Sequence, residues 1–419
     1  MLAPLTRAGR LGEGVVVPLV SVALALGSVA AVLAIIGADP TRVFQSMFGA
    51  AAGDLRGLAT TVVKAMPRLL AALGIAIAIR ANLWNIGAEG QIYVSATAAT
   101  AVVMMMPDLP LLIVPIVAMA AGVAAGAVWG AIPGLLRAKR GISEVITSLM
   151  LVYVAIQLTR YMLEGPWAVP RATFPATEPF EQYARLPIIV PGTLLNAGAL
   201  VAIAAVVAAW FIVDRTRFGL DLRAAGGNER AAATLGVPVS RVIIGTMALS
   251  GAFAGLAGAV EVLGIRGRLI DGFSPGFGFE AIAVALLGRL HPVGMVGAAL
   301  LFGGLDAGGA GLQTSITGVS SAIVTVAAGL SVLYVLFGQG IVERAAARRR
   351  TRAALRDADR GQAADQLDER SGEADPSAGP GSSTPKGSPD APSRSRMGGP
   401  SGAGEVSFIR SELEGSADP

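Results

Sequence analysis

Five polar side chains lie close together between two apolar stretches of the sequence. They are Asn82, Trp84, Asn85, Glu89 and Gln91. Amide and carboxylate groups hydrogen-bond to hydroxyl, amine and carbonyl groups, and an indole can stack on a flat ring or a sugar face. The cluster therefore predicts contact with a polar solute. The alternative is helix-end capping and interhelical hydrogen bonding with no solute contact.

A short motif in this cluster recurs later in the chain. Gly87-Ala-Glu89 is echoed by Gly278-Phe-Glu280, and each copy is followed by an apolar stretch. Transporters place substrate sites at breaks between apolar segments, often at matching places in two halves. The echo indicates an internal repeat and adds Glu280 to the predicted pathway, although a chance match would look the same.

Most catalytic chemistry is excluded by the residue inventory. The chain has no Cys and one His, His291, so thiol catalysis, zinc-thiolate sites and multi-histidine metal sites are not expected. None of the lysines, Lys64, Lys139 and Lys386, stands in the G-x-x-x-x-G-K-[ST] loop that cradles nucleotide phosphates. We predict no catalytic residue, no cofactor and no metal site, and any ATP dependence must come from another chain.

The elements that position these residues are predicted to be membrane-spanning helices. Hydrophobic residues make up 53% of the 419 residues and charged residues 15%, whereas soluble domains carry about 25% charged residues. The predicted fold class is all-α, a polytopic helical bundle in the membrane with about ten passages and broken helices, since a passage needs about 20 apolar residues. The predicted passages are Val15–Ile36, Leu69–Ile79, Ile92–Met106, Leu109–Leu136, Glu144–Leu163, Leu186–Val213, Val242–Val260, Phe279–Leu287, Val293–Leu305 and Ala307–Val342.

Clusters of basic residues predict the orientation, because short cytoplasmic loops carry an excess of Lys and Arg. Such clusters occur at 7–10, 137–140, 215–241 and 344–350, and ten passages place all four on the cytoplasmic side. We predict a cytosolic N-terminus at 1–14, a transmembrane domain at 15–343 and a disordered cytosolic tail at 344–419. The Arg-rich start of that tail is expected to contact lipid headgroups.

The cytosolic loop 214–241 contains a short helix signal. Asn228 suits the N-cap and Glu229 the first turn, while Gly236 suits the left-handed position after the helix and Pro238 prevents its continuation. A helix of about two turns is unstable alone in water, so it needs a partner surface. The alternative is an ordinary structured loop.

Four stretches together resemble the branched-chain amino acid and simple-sugar permease group of ABC importers, closest to its nucleoside-uptake members. They are LWNIGAEGQIYVSA (83–96), GISEVITSLMLVYVA (141–155), GGNERAAATLGVPVSRV (226–242) and GFGFEAIAVALLGRLHPVGMVGAALLFGGL (276–305). Ser143 stands where the family pattern has Asn. The resemblance implies that the third stretch docks on an ATPase subunit through Gly226, Gly227, Asn228, Glu229, Arg230, Ala231, Ala232 and Gly236.

The same resemblance implies the partners and the location. The partners are separate ABC ATPase subunits, a second permease subunit that is identical or homologous, and an extracytoplasmic solute-binding lipoprotein, with no nucleic acid. The location is the bacterial plasma membrane, with both termini cytoplasmic. An ion-gradient-driven secondary carrier and a non-transporting membrane scaffold are the alternatives. Dependence of uptake on a separate ATPase distinguishes the importer from the carrier, and the scaffold predicts no solute flux.

Overall fold

A computed structural model of the protein describes residues 23–35, 37–106, 113–170 and 173–315, with single positions at 20, 326, 329, 330, 333, 334 and 337. The predicted cytosolic N-terminus (1–14), the predicted tail (344–419) and most of the predicted passage Ala307–Val342 lie outside these residues. All long regular elements in the described part are helices, as the sequence predicts, and pairing of extended backbone is limited there to two isolated bridges.

The helices follow one another with short connections. In chain order they are α1 (Ala23–Ile35), α2 (Pro40–Ala52), α3 (Leu55–Arg80), α4 (Ala88–Met105), α5 (Ile113–Arg140), α6 (Glu144–Glu164), α7 (Gly198–Arg215), α8 (Arg217–Gly227), α9 (Glu229–Thr234), α10 (Val239–Val260), α11 (Phe277–Leu287) and α12 (Pro292–Ser315). A 3₁₀ turn occupies Gln182–Ala184, and α10 continues into a π-helical turn at Glu261–Arg266.

Six segments in the described part of the chain are long and apolar enough to cross a membrane. They are Leu55–Arg80, Ile113–Arg140, Glu144–Glu164, Gly198–Arg215, Val239–Arg266 and Pro292–Gly311. Two shorter apolar helices, Ala23–Ile35 and Phe277–Leu287, accompany them. The chain is therefore a multi-pass membrane protein. The number of ten passages stays a prediction.

Two predicted passage boundaries fall inside observed helices, at positions where charged side chains are paired within the bundle. The passage predicted at Leu69–Ile79 is the second half of α3, which runs unbroken through Lys64 and Arg68. Likewise, α12 passes through Asp306, where the sequence predicted a boundary between two passages. These charged groups are paired with one another, so they do not force the helices to end.

A third boundary differs because backbone hydrogen bonds hold the chain outside a helix. The passage predicted to start at Leu186 begins only at Gly198. The backbone N–H groups of Thr177 and Leu186 donate to the carbonyl oxygens of Leu269 and Leu263 at 2.9 and 3.0 Å. Segment 176–186 therefore pairs with the chain that follows α10 instead of extending α7.

Helix α10 lies at the centre of the bundle and contacts α3, α4 and α5. Its closest approach is to α5, where glycines recur every fourth residue. A Cβ on Gly130 would lie 2.5 Å from the Met247 carbonyl oxygen, and one on Gly126 would lie 2.7 Å from the Cα of Gly255. Small residues let membrane helices pack backbone against backbone, so this glycine stripe determines the spacing of α5 and α10.

Candidate functional site

The amides of the predicted polar cluster bond to one another inside the bundle. Asn85 Nδ2 donates to Gln91 Oε1 at 2.9 Å and to Ser250 Oγ at 2.8 Å, and Gln91 Nε2 donates back to Asn85 Oδ1 at 3.1 Å. All three side chains are buried. In this conformation the amides therefore tie the start of α4 to α10, as the capping alternative predicts.

Glu89 joins the two echoed motifs directly. Its Oε2 accepts the backbone N–H of Gly278 at 2.6 Å, and a Cβ on Gly278 would lie 2.6 Å from the Cα of Glu89. The beginnings of α4 and α11 thus abut, and only glycine permits so close an approach. The two motifs form one junction rather than two separate sites.

Two members of the cluster lie on the surface. Trp84 is 42% exposed, and Asn82 is exposed with a φ of 57°, in the left-handed region. Asn tolerates that region better than other residues with a side chain. Their side chains are free to face a solute or a second subunit, unlike those of Asn85, Glu89 and Gln91.

Glu280 belongs to a charged cluster inside the helical bundle, which we call the ion cluster: Lys64, Arg68, Glu280 and Asp306. Arg68 forms an ion pair with Glu280 through Nε and another with Asp306 through Nη2 at 3.1 Å. Lys64 Nζ lies 3.1 Å from the other carboxylate oxygen of Asp306. Helices α3, α11 and α12 each contribute to the cluster, which balances two positive charges against two negative ones.

The ion cluster is buried at its centre and open at its edge. The Arg68 side chain is 3% exposed and lies 4.7 Å from the ring centroid of Phe277, whereas the other three side chains are 28–34% exposed. The sequence analysis missed Lys64 and Arg68 as site residues because they precede the predicted passage. Their spacing of four residues, which places them on one helix face, was the available signal.

The short helix of the cytosolic loop, α9, has the predicted caps. Asn228 Oδ1 accepts the N–H groups of Arg230 and Ala231, both at 3.0 Å. Gly236 has a φ of 84°, and the Val237 N–H donates to the Ala232 carbonyl oxygen at 3.0 Å to close the helix. Asn228 and Gly236 are thus confirmed as capping residues.

Three other residues that the resemblance assigns to docking lie in or beside the folded chain. Gly226 and Gly227 are the last residues of α8 rather than a tight turn, and a Cβ on Gly226 would lie 2.9 Å from the Cα of Ala81. Ala232 is buried against the chain itself, so it does not face outward. Leu235, which the sequence analysis did not single out, is 82% exposed at the end of α9.

The outward face of α9 is therefore an apolar tip surrounded by polar and small residues. Glu229, Arg230, Ala231, Ala233 and Thr234 are exposed beside Leu235. A single large apolar side chain in such a setting can fill a pocket on a partner protein.

The Asn85 network leads to a testable prediction about stability. Asn85→Ala leaves the buried amide of Gln91 without its reciprocal partner, so it should lower the free energy of unfolding by about 1–3 kcal/mol. Thermal unfolding in detergent measures this loss. Asn82→Gly is the control, since Asn82 is exposed and glycine suits its positive φ; equal melting temperatures for the two variants would contradict the assignment.

Comparison with known proteins agrees with these features. The family described as the branched-chain amino acid transport system permease component matches residues 57–337. The glucose ABC transporter permease protein TsgB13 of Haloferax volcanii is 39% identical over 338 residues, covering 78% of this chain and 87% of the relative. The guanosine ABC transporter permease protein NupP of Bacillus subtilis is 34% identical, covering 76% and 92%. The nucleoside ABC transporter permease protein NupB of Lactococcus lactis is 31% identical, covering 77% and 90%.

Proposed function

The chain belongs to the branched-chain amino acid transport permease family, and from that premise we propose that it forms the translocation pathway of an ATP-binding cassette importer for nucleosides or related small solutes such as simple sugars. Separate ATPase subunits power the transport. The observation that carries the proposal is the ion cluster, which places ionisable side chains in the membrane-length helices α3 and α12 and in the shorter apolar helix α11.

The partial exposure of the ion cluster supports a pathway along α3, α11 and α12. Ionisable groups within membrane segments are costly in contact with lipid, and they almost always face a bundle interior or a water-filled cavity. Lys64, Glu280 and Asp306 each keep about a third of their side chain exposed. We therefore assign their open side to the aqueous pathway, where Glu280 was predicted.

The charge balance of the cluster favours a neutral, hydroxyl-rich solute. Two cations and two carboxylates give no net charge, so the cluster offers donors and acceptors without attracting an ion. Trp84, with its exposed indole, adds a surface on which a base or sugar ring can stack. Glu89 supports this surface by holding the α4–α11 junction, and Asn85 and Gln91 support it by tying the start of α4 to α10. Asn82 lies beside it.

We propose the partners that the resemblance to ABC importers implies. We assign α9, with Leu235 at its tip, to docking on the ATPase, with Asn228 and Gly236 shaping the helix. A second permease subunit, identical or homologous, completes the pathway, and an extracytoplasmic lipoprotein delivers the solute. We expect both termini to lie in the cytoplasm, as the basic clusters predict. The ion-driven carrier is the weaker candidate, since the matched relatives TsgB13, NupP and NupB are described as ABC transporter permeases.

Uptake in whole cells tests the function. Deletion of this chain should reduce uptake of labelled guanosine, uridine, glucose or ribose to background for at least one of the four, and a plasmid copy should restore it. Depletion of ATP should abolish this uptake, while an ionophore that collapses ion gradients at constant ATP should not. Uptake that follows the ion gradient would establish the carrier instead, and unchanged uptake of all four solutes would reject both solute classes.

Docking through α9 has its own test. Leu235→Ser should weaken co-purification of the ATPase by about 10- to 30-fold, because an exposed apolar anchor is lost without disturbing the bundle. Leu220→Ser is the matched control, since Leu220 is an exposed leucine on the neighbouring helix α8. If both variants retain the ATPase at the wild-type yield, α9 is not the docking element.

A further inference from the structure

Arg137 lies between two carboxylates on the side of the bundle that carries α9. Its Nη2 is 3.2 Å from Oε1 of Glu229, the first residue of α9, and its Nη1 is 3.6 Å from Oε2 of Glu144, the first residue of α6. Arg137 itself lies in the last turn of α5. One guanidinium group therefore connects three helices.

Glu144 extends this connection to residues 81–87, the non-helical segment between α3 and α4, which we call the break. Its side chain is buried, and Oε1 accepts the backbone N–H of Trp84 at 3.5 Å. A continuous series of polar contacts thus runs from Glu229 through Arg137 and Glu144 to Trp84. It joins the proposed docking helix to the segment that bears the proposed solute-stacking residue.

A second contact links the same two regions through packed backbone. Gly226, at the end of α8, lies against Arg80 and Ala81, where α3 ends and the break begins. A Cβ at Gly226 would meet the Arg80 carbonyl oxygen and the Ala81 backbone, so the two segments are in direct backbone contact. The break is therefore held by the cytosolic loop at Ala81 and by the polar series at Trp84.

We propose that Arg137 is a positioning residue that couples movement of α9 to the break at 81–87. The inference rests on the proposed function, in which α9 docks on an ATPase. Glu229 and Glu144 repel each other, and the guanidinium shared between them keeps both in place. When the ATPase displaces α9, the Arg137–Glu229 pair lengthens, Arg137 turns toward Glu144, and the Glu144 contact with the Trp84 N–H weakens. The break before α4 then rearranges with the motor.

The geometry of the series explains why arginine suits this position. The two nitrogen atoms at the end of the guanidinium point in different directions and each serves one carboxylate, which a single ammonium group does less well. Arg137→Lys should accordingly retain part of the coupling. Arg137→Ala should remove most of the coupling. Glu229 then faces water, and Glu144 stays buried with its contact to the Trp84 N–H.

The test measures how ATP changes the accessibility of the break. If the Arg137 ion pairs only stabilised the fold, their loss would leave this ATP-dependent change intact. The chain has no native cysteine, so a single Ile86→Cys substitution, at a half-buried position in the break, reports the state of that segment through its rate of maleimide labelling. The labelled protein is the full transporter complex in detergent, with and without ATP. The coupling mutation Arg137→Ala is compared with Arg140→Ala, an exposed arginine at the same helix end.

We call the complex that carries Ile86→Cys alone the parent complex. In it, ATP should change the rate of maleimide labelling by roughly threefold to tenfold. Arg137→Ala should remove most of this change, since only the Gly226 contact then remains, and should reduce solute uptake by a similar factor, with the ATPase still bound and the labelling rate without ATP unaltered. Arg137→Lys should show an intermediate response, and Arg140→Ala the full one.

Two results would overturn the inference, and they differ from each other. If Arg137→Ala keeps both the ATPase and the full response to ATP, Arg137 has no coupling role and the proposed function stands. If the parent complex itself fails to retain the ATPase, the proposed function fails, and the inference fails with it.

Discussion

Gly251→Leu is expected to leave almost no folded protein in the membrane. A Cβ at this position would collide with the carbonyl oxygen of Gly126 and lie 3.1 Å from the Cα of Gly130, so α10 would have to move away from α5. Backbone atoms cannot rotate aside as a flexible side chain can. The cost should therefore reach or exceed the ~3 kcal/mol at the upper end of ordinary overpacking, and α10 also carries Ser250 of the Asn85 network.

The abundance of monodisperse protein after detergent extraction measures this effect. Gly251→Ala should give an intermediate loss, because it adds the Cβ alone. Gly297→Leu provides the matched control: Gly297 lies on α12, and no atom comes within 4 Å of a Cβ placed there. Comparable yields of Gly251→Leu and Gly297→Leu would show that α5 and α10 do not pack as closely as described.

The second large effect is expected at the centre of the ion cluster. Arg68→Met removes the buried cation that pairs with both Glu280 and Asp306, leaving the cluster with excess negative charge inside the bundle. Removing one partner from a fully buried ion pair costs about 3–5 kcal/mol. Glu280 and Asp306 are 28% and 34% exposed, so water screens part of the remaining charge and we expect a loss toward or below the lower end of that range. Thermal unfolding in detergent should show this loss, and solute uptake should fall with it.

A charge-balanced double variant separates electrostatics from packing. Adding Glu280→Gln to Arg68→Met restores neutrality while the Lys64–Asp306 pair persists, so the double variant should recover much of the lost stability. Arg42→Met is the matched control, because Arg42 is exposed and pairs with the exposed Asp39; such surface pairs contribute about 0–1 kcal/mol. A double variant less stable than Arg68→Met alone would contradict this electrostatic explanation.

The sequence by itself determined the class of protein and its family, because both depend on local features. Long apolar stretches with few charges require a membrane, whatever the packing of the helices. The caps of α9 could likewise be predicted from the sequence, since Asn228 and Gly236 act on backbone groups within a few residues of themselves. The motifs 83–96, 141–155, 226–242 and 276–305 identified the permease group directly from the order of their residues.

Only the tertiary structure decided which side chains are paired, buried or available. Lys64 and Asp306 are separated by most of the chain, so the pairing that lets α3 and α12 continue without a break could not be read from either segment alone. The same holds for Asn85, whose amide is satisfied by Ser250 of α10 rather than by a solute in this conformation.

The tertiary structure also decided which face of α9 is available to a partner. Ala232 and Leu235 belong to one short segment, yet packing turns the first toward the chain and leaves the second in the open. Local sequence preferences act over a few residues, whereas burial and charge compensation depend on neighbours that are distant along the chain. For that reason the sequence determined that a short helix forms here, and the fold determined which of its residues can contact a partner protein.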